Sequence, residues 1–222
     1  MSVIDTRGYK YEPINKRQEI VMEAWSQTRL FFLTGEGGTG KTDVAVGLAL
    51  QDVFAKDSAK PIRNIYVSRP TVSCDEDYGF LEGSLEQKYA PWLGAFDDVM
   101  RRTGHTLQTL SKIVIPKPLG FARGSTVQDA IWIIDEAQNC TAKQLRMIGS
   151  RLGSRLGRGT SKIILAGDDD QVDLRGHAPC PLFQFADVMQ DDPVATWVRF
   201  LPEDQCRDPF VTRFLKATRH LV

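Results

Sequence analysis

Residues 31–50, FFLTGEGGTGKTDVAVGLAL, run from a short apolar stretch through four glycines in six positions and then, after a lysine, into an amphipathic segment. A change from strand-like to helix-like patterning across so pliant a joint means that the backbone bends around something, because glycine admits positive φ and close approach. Gly35, Gly40, Lys41 and Thr42 fill the spacing G-x-x-x-x-G-K-[ST] without a gap, with Glu36, Gly37, Gly38 and Thr39 inside it. In such a loop the backbone N–H groups and the positive end of the next helix face an anion. Lys41 adds a point charge for β- and γ-phosphates, and the Thr42 hydroxyl is a ligand for Mg²⁺. The loop is expected to bind a nucleoside triphosphate.

The rest of the chain has to supply a scaffold for that loop. With 222 residues, 42% of them apolar and 25% charged, one globular domain over residues 1–222 is expected, residues 1–14 forming an N-terminal extension. Lys41 to about Ala55 reads as a helix against a sheet, with Val44, Val46, Leu48, Ala49 and Leu50 apolar and Gly47 weakening it. Near-continuous apolar runs at 64–69, 112–116, 130–136 and 162–168 predict strands buried on both faces. WVRFL at 197–201 predicts a last strand, and 209–220 a C-terminal helix. In 141–153, Thr141 is placed to cap a helix carrying Leu145, Ile148 and Leu152 on one face, while 176–182 and 189–195 read as loops. Strands alternating with helices predict an α/β domain with a mainly parallel sheet.

Composition excludes more than it selects. Twenty-eight basic and twenty-eight acidic residues cancel, so no global basic charge announces a nucleic acid. Cys74, Cys140, Cys180 and Cys206 are scattered without metal-ligand spacing, and His105, His177 and His220 are too dispersed to join them. The N-terminus lacks the apolar core of a signal peptide and no run is long enough for a membrane span, which predicts a cytoplasmic protein with no membrane partner.

Two further clusters fall where strands should end. IWIIDEAQ brings Asp135 and Glu136 to the C-terminal tip of an apolar strand, the edge at which open α/β sheets bind ligands. Asp135 can position Mg²⁺ opposite Thr42, and Glu136 can orient and deprotonate an attacking water. IILAGDDDQVDL ends a second strand at Gly167 and Asp168, followed by Gln171, whose amide can touch the γ-phosphate or the water. Asp169 and Asp170 read as surface residues.

GEGGTGKT, SRP (68–70), GFLEGSLEQKYAPWL (79–93), ARGST (122–126), IIDEAQNCT (133–141), GDDDQVDL (167–174) and CRDPFV (206–211) together resemble the PhoH family of P-loop ATPases, itself similar to one motor lobe of superfamily 1 helicases. The resemblance implies a single RecA-like P-loop NTPase domain that uses ATP and Mg²⁺. It matches Gln18 to an adenine-reading glutamine, since an amide can pair with both N6 and N7 of adenine. Where family members often carry an aromatic three residues later, this chain has Val21. Arg207 matches a late arginine able to stabilise charge on the transferring phosphate, from the same chain or from a neighbour. Arg69 and Arg123 match positions able to touch phosphates of a nucleotide or an RNA strand. The chain begins about 34 residues before its phosphate loop, leaving no room for the N-terminal nuclease domain of some relatives, so ribonuclease activity is not expected; compact phage-encoded members are similar in this respect.

Three functions compete on these residues. The first is a Mg²⁺-dependent ATPase coupled to single-stranded RNA as a helicase-like motor, in a homo-oligomer such as a six-membered ring where Arg207 serves a neighbour. The second is a nucleotide-switched assembly module with slow hydrolysis, against which Glu136 argues. The third is phosphoryl transfer to a metabolite, with 74–108, including Arg101, Arg102 and His105, as a lid.

Overall fold

The computed structural model describes residues 9–55, 62–70, 94–102, 104–106, 108–153, 160–168, 171–173 and 179–218. Six strands, β1 (Leu30–Thr34), β2 (Asn64–Ser68), β3 (Val114–Pro116), β4 (Ala130–Ile134), β5 (Lys162–Gly167) and β6 (Ala195–Arg199), form one sheet in the order β3-β2-β4-β5-β1-β6. Every pairing is parallel. The helices are α1 (Lys16–Ala24), α2 (Lys41–Phe54), α3 (Gly94–Arg102), α4 (Ala142–Gly149), α5 (Pro181–Met189) and α6 (Pro209–Thr218).

The continuous apolar strands are explained by a core on each face. Phe31, Leu33, Ile131, Ile133 and Ile164 pack with Val21 of α1, Leu48 of α2 and Met100 of α3. The alternate residues Phe32, Trp132, Ile134, Ile163 and Leu165 pack with Leu145 and Ile148 of α4 and Leu182 of α5. Side chains alternate across a strand, so two buried faces leave no polar position in AIWII. This is the RecA-like α/β architecture expected, and it gathers all six C-terminal strand tips on one edge. Among the described residues, no helix is long and apolar enough to cross a membrane.

Several boundaries differ from the sequence reading, each for a local reason. β4 stops at Ile134, two residues before the predicted end, because Glu136 turns into the left-handed region at φ 52°. β6 runs 195–199 rather than 197–201; its register pairs Leu30 with Ala195 and Thr34 with Arg199. β3 keeps only the last three of five predicted residues. Thr141 caps α4 through a full capping box with Gln144, yet the helix ends at Gly149, and Leu152 instead bridges Val127 in parallel. Pro181 and Leu182, expected in a loop, open α5, where proline suits the first helical turn.

In the second half of the candidate lid, Phe96 and Met100 are buried in the core, exposed Arg101 pairs with Asp97 at 2.7 Å, and the His105 ring lies edge-on to Phe54. Residues 71–93 lie outside the described residues, as do Asp169, Asp170, Cys74 and His177. Gly47 proves to be a contact. A Cβ there would sit 2.1 Å from the ring of Tyr11, which lies across α2 and donates its hydroxyl to Asp43 at 2.9 Å.

Candidate nucleotide site

The loop between β1 and α2 is held by contacts that only glycine permits. Gly35 has φ 129°, and a Cβ on it would meet the carbonyl oxygen of Phe200 at 2.1 Å. Gly40 caps α2 with φ 87° and would strike the Gln18 amide at 2.3 Å. Thr39 closes the loop by donating its hydroxyl to the Glu36 carbonyl at 2.8 Å. Lys41 folds back, its ammonium donating to the carbonyls of Gly35 at 2.5 Å and Glu36 at 2.7 Å.

A cavity of about 200 Å³ opens over this loop. Gly37, Gly38, Lys41 and Thr42 form its floor, Asp135 and Glu136 one wall, Asp168 and Gln171 a second, and Arg207 a third. Strand order explains the meeting: β4, β5 and β1 are adjacent, so the segments following all three converge.

Thr42 donates its hydroxyl to Asp135 at 3.1 Å. Burial pushes the Asp135 carboxyl above its usual range, and Glu136 adds to the push; Arg69, the Thr42 hydroxyl and Lys41 oppose it. A buried acid disfavoured in its charged form and touching a hydroxyl fits Mg²⁺, which takes one or two protein oxygens and completes its shell with water and phosphate. Among the described residues no cluster of three or more His, Cys, Asp or Glu could by itself hold a metal ion.

Glu136 holds a left-handed backbone, φ 52° and ψ 38°, as Asp129 does with φ 50°, a conformation costing a non-glycine residue on the order of 1–3 kcal/mol. Its two oxygens have different partners: Arg69 lies 3.2 Å from Oε1, and the Gln138 amide donates to Oε2 at 2.7 Å. Gln138 is not among the residues that the sequence pattern marks out. Fully buried, it also donates to the Gln171 carbonyl at 2.9 Å and accepts from the Asp168 N–H at 3.1 Å, tying the tips of β4 and β5 together. An amide inside DEAQ is the signal that was available. Asn139 adds a second tie by accepting from the Asp173 N–H at 2.8 Å. Gln171 reaches the cavity and donates to Asp168 at 2.8 Å.

Arg207 comes from a strap that leaves β6 and crosses the loop. The Cys206 N–H donates to the Gly38 carbonyl at 2.9 Å, and the Gln205 amide donates to the Gly37 carbonyl at 3.0 Å. Asn15 pins strap and loop together through the carbonyls of Asp204 and Thr39. A Cβ on Gly38 would lie 2.6 Å from Arg207 Nε, so the guanidinium stem covers that glycine within the same chain. Gln18 sits behind the loop, fully buried; it accepts from the Ile14 N–H at 2.8 Å and donates to the Gly40 carbonyl at 3.1 Å. It braces the loop and does not line the cavity. Arg123 is exposed beyond β3 and is not brought to the cavity either.

Comparison with known proteins places these features in a lineage. A family model described as PhoH-like protein matches residues 10–219. Protein PhoH of Escherichia coli K12 is 33% identical over 210 residues, covering 91% of this chain and 56% of that protein. PhoH-like proteins of Mycobacterium tuberculosis H37Rv and Bacillus subtilis are 31% and 32% identical, over 86% and 90% of this chain. The chain spans about half the length of these curated relatives, 53% to 61%. A crystal structure of Pif1 helicase from Candida albicans aligns over 94% of this chain and 44% of that one, with TM-score 0.38 and 14% identity. With a phosphate loop, an acidic strand tip and a family match over nearly its whole length, the chain belongs to the PhoH-like protein family.

Proposed function

We propose that this chain binds Mg²⁺ and ATP in the cavity over residues 35–42, hydrolyses the γ-phosphoryl bond, and couples the cycle to single-stranded RNA in the cytoplasm as part of a ring of like subunits. The observation behind this reading is the convergence of Lys41, Thr42, Asp135 and Glu136 on one cavity. Bound Mg²⁺ would neutralise charge on the β- and γ-phosphates, held by Thr42 and Asp135. Lys41, now on loop carbonyls, exchanges them for phosphate oxygens. Glu136 orients the attacking water and takes its proton as the water oxygen bonds to the γ-phosphorus and ADP leaves. Arg207 offsets charge on the transferring group, and Gln171 reports its presence across the Gln138 tie. Gln18 serves the nucleotide by bracing the loop through the Gly40 carbonyl.

Hydrolysis and binding separate in Glu136→Gln. An amide keeps the shape without accepting a proton, so turnover falls by about 10²–10⁴-fold while ATP affinity stays near native. Calorimetry and phosphate release measure the two. No nucleotide binding in native chain would sink the whole reading; native binding without turnover would leave a nucleotide-switched module.

A further inference from the structure

Arg69, expected to touch phosphates, pairs in the structure with Glu136. Arg69 follows directly on β2, and its guanidinium lies 3.2 Å from Glu136 Oε1, while Gln138 donates to Oε2 at 2.7 Å. Both oxygens of the acid that must take a proton from water are thereby engaged by donors. We propose that Arg69 is a latch on Glu136, released when a phosphodiester of a single strand lying across the tips of β2 and β3 takes over its guanidinium. This rests on the hydrolysis reading above and adds how hydrolysis is turned on.

The two partners of Glu136 differ in a way that makes one fixed and the other exchangeable. Gln138 is fully buried and makes three hydrogen bonds, so it cannot leave without breaking the tie between β4 and β5. Arg69 keeps 41% of its side chain exposed. An ion pair so exposed is weak, and a guanidinium donates to a phosphate in the same forked geometry as to a carboxylate. A strand can therefore take Arg69 from Glu136 at little cost. The Glu136 backbone is held by the Asn139 N–H, which donates to its carbonyl at 3.0 Å, so what changes is the direction of its carboxylate.

The surface beside the latch has the chemistry of a single strand. β3 is β2's neighbour, and the Lys117 N–H donates to the Val67 carbonyl at 2.8 Å while the Ser68 hydroxyl donates to the Lys117 carbonyl. The chain leaving that junction forms a short turn, Leu119–Phe121, in which Leu119 is buried and Phe121 is 71% exposed. Arg123 follows, also exposed. An outward aromatic ring next to a cation suits a stacked base and its phosphate, and base–aromatic stacking is tolerant of sequence. Arg69, Phe121 and Arg123 thus belong to one sheet edge, and only Arg69 also touches the hydrolytic acid.

The test is steady-state ATP turnover of the full chain with and without poly(U), for native protein, Arg69→Ala and Arg69→Lys, with thermal midpoints confirming that each folds. Poly(U) is expected to stimulate the native chain. Arg69→Ala should turn over ATP several-fold faster than native without poly(U), and its stimulation ratio should fall to about one. Arg69→Lys, which keeps the charge but loses the fork, should fall between the two. A purely structural arginine would lower the basal rate instead. A basal rate in Arg69→Ala no higher than native overturns the latch, as does a native rate indifferent to poly(U). If the native chain shows no turnover under any condition, the hydrolysis reading has failed, a result distinct from either.

Discussion

Two buried lysines, one at each end of the same sheet, use nearly identical bonds for opposite ends. Lys41 at the C-terminal edge donates to the carbonyls of Gly35 and Glu36. Lys162 at the N-terminal edge donates to the carbonyls of Trp25 at 2.5 Å and Thr28 at 2.8 Å, after α1. Lys162 also lies over the Trp25 ring at 5.0 Å, and burial lowers its pKa while Asp52 opposes that. Asp52 in turn accepts from the Trp25 indole at 2.9 Å. That group is closed on itself. Lys41 instead lines a cavity whose other walls carry three acids, Asp135, Glu136 and Asp168. Burial and backbone contacts therefore do not distinguish a structural lysine from a functional one; the space beside it and the charges across that space do.

Substitution should break the pair apart. Lys41→Met removes the phosphate's point charge, and turnover should fall by about 10²–10³-fold, the largest effect in this comparison. Its melting temperature should move less than that of Lys162→Met, because Lys41 itself borders a cavity that water can enter. Lys162→Met should do the reverse. Two carbonyls and Asp52 lose a donor or a counter-charge in a dry site, at a cost of about 1–3 kcal/mol in stability, with turnover per folded molecule near native. Denaturant unfolding and phosphate release together read both. A destabilised Lys41→Met with an unaffected Lys162→Met would invert the comparison.

The sequence makes one of these lysines readable and hides the other. Lys41 stands in an eight-residue spacing whose purpose is local, so Gly35, Gly40 and Thr42 announce its role. Asp135 and Glu136 are similarly legible, two acids after five apolar residues. Lys162 begins an apolar strand and has no local signature; its partners belong to α1 and the turn after it. Arg69 and Glu136 meet only because β2 lies beside β4, which requires the strand order. Gln138 was overlooked because its three bonds reach in different directions across two strand tips. The contact between Tyr11 and Gly47 was illegible for the same reason, and there a glycine read as a weakness in α2 is a seat for a ring.

Asp135 sharpens the contrast with the smallest effect. At the closed edge, burial disfavours the charges of both Asp52 and Lys162 but each offsets the other's cost; at the open edge, the Asp135 carboxyl is raised by burial and then further by a like charge, Glu136. An acid whose folded pKa lies above its unfolded value leaves the native state holding more protons between the two, so stability falls as pH rises through that window. Below the ordinary carboxylate range the penalty vanishes, and above the raised value it is complete. Asp135→Asn still accepts the Thr42 hydroxyl but cannot ionise. The variant should therefore melt a few degrees above native at neutral pH, and the gap should close as pH falls through the window. Mg²⁺ with ADP should narrow the gap from the other side, because a cation beside Asp135 favours its charged form and stabilises native chain more than variant. Thermal melts across pH, with and without Mg²⁺ and ADP, measure all of this. A variant less stable than native at neutral pH, or a gap independent of pH, would mean that Asp135 is as well satisfied as Lys162 and that the two edges do not differ in kind.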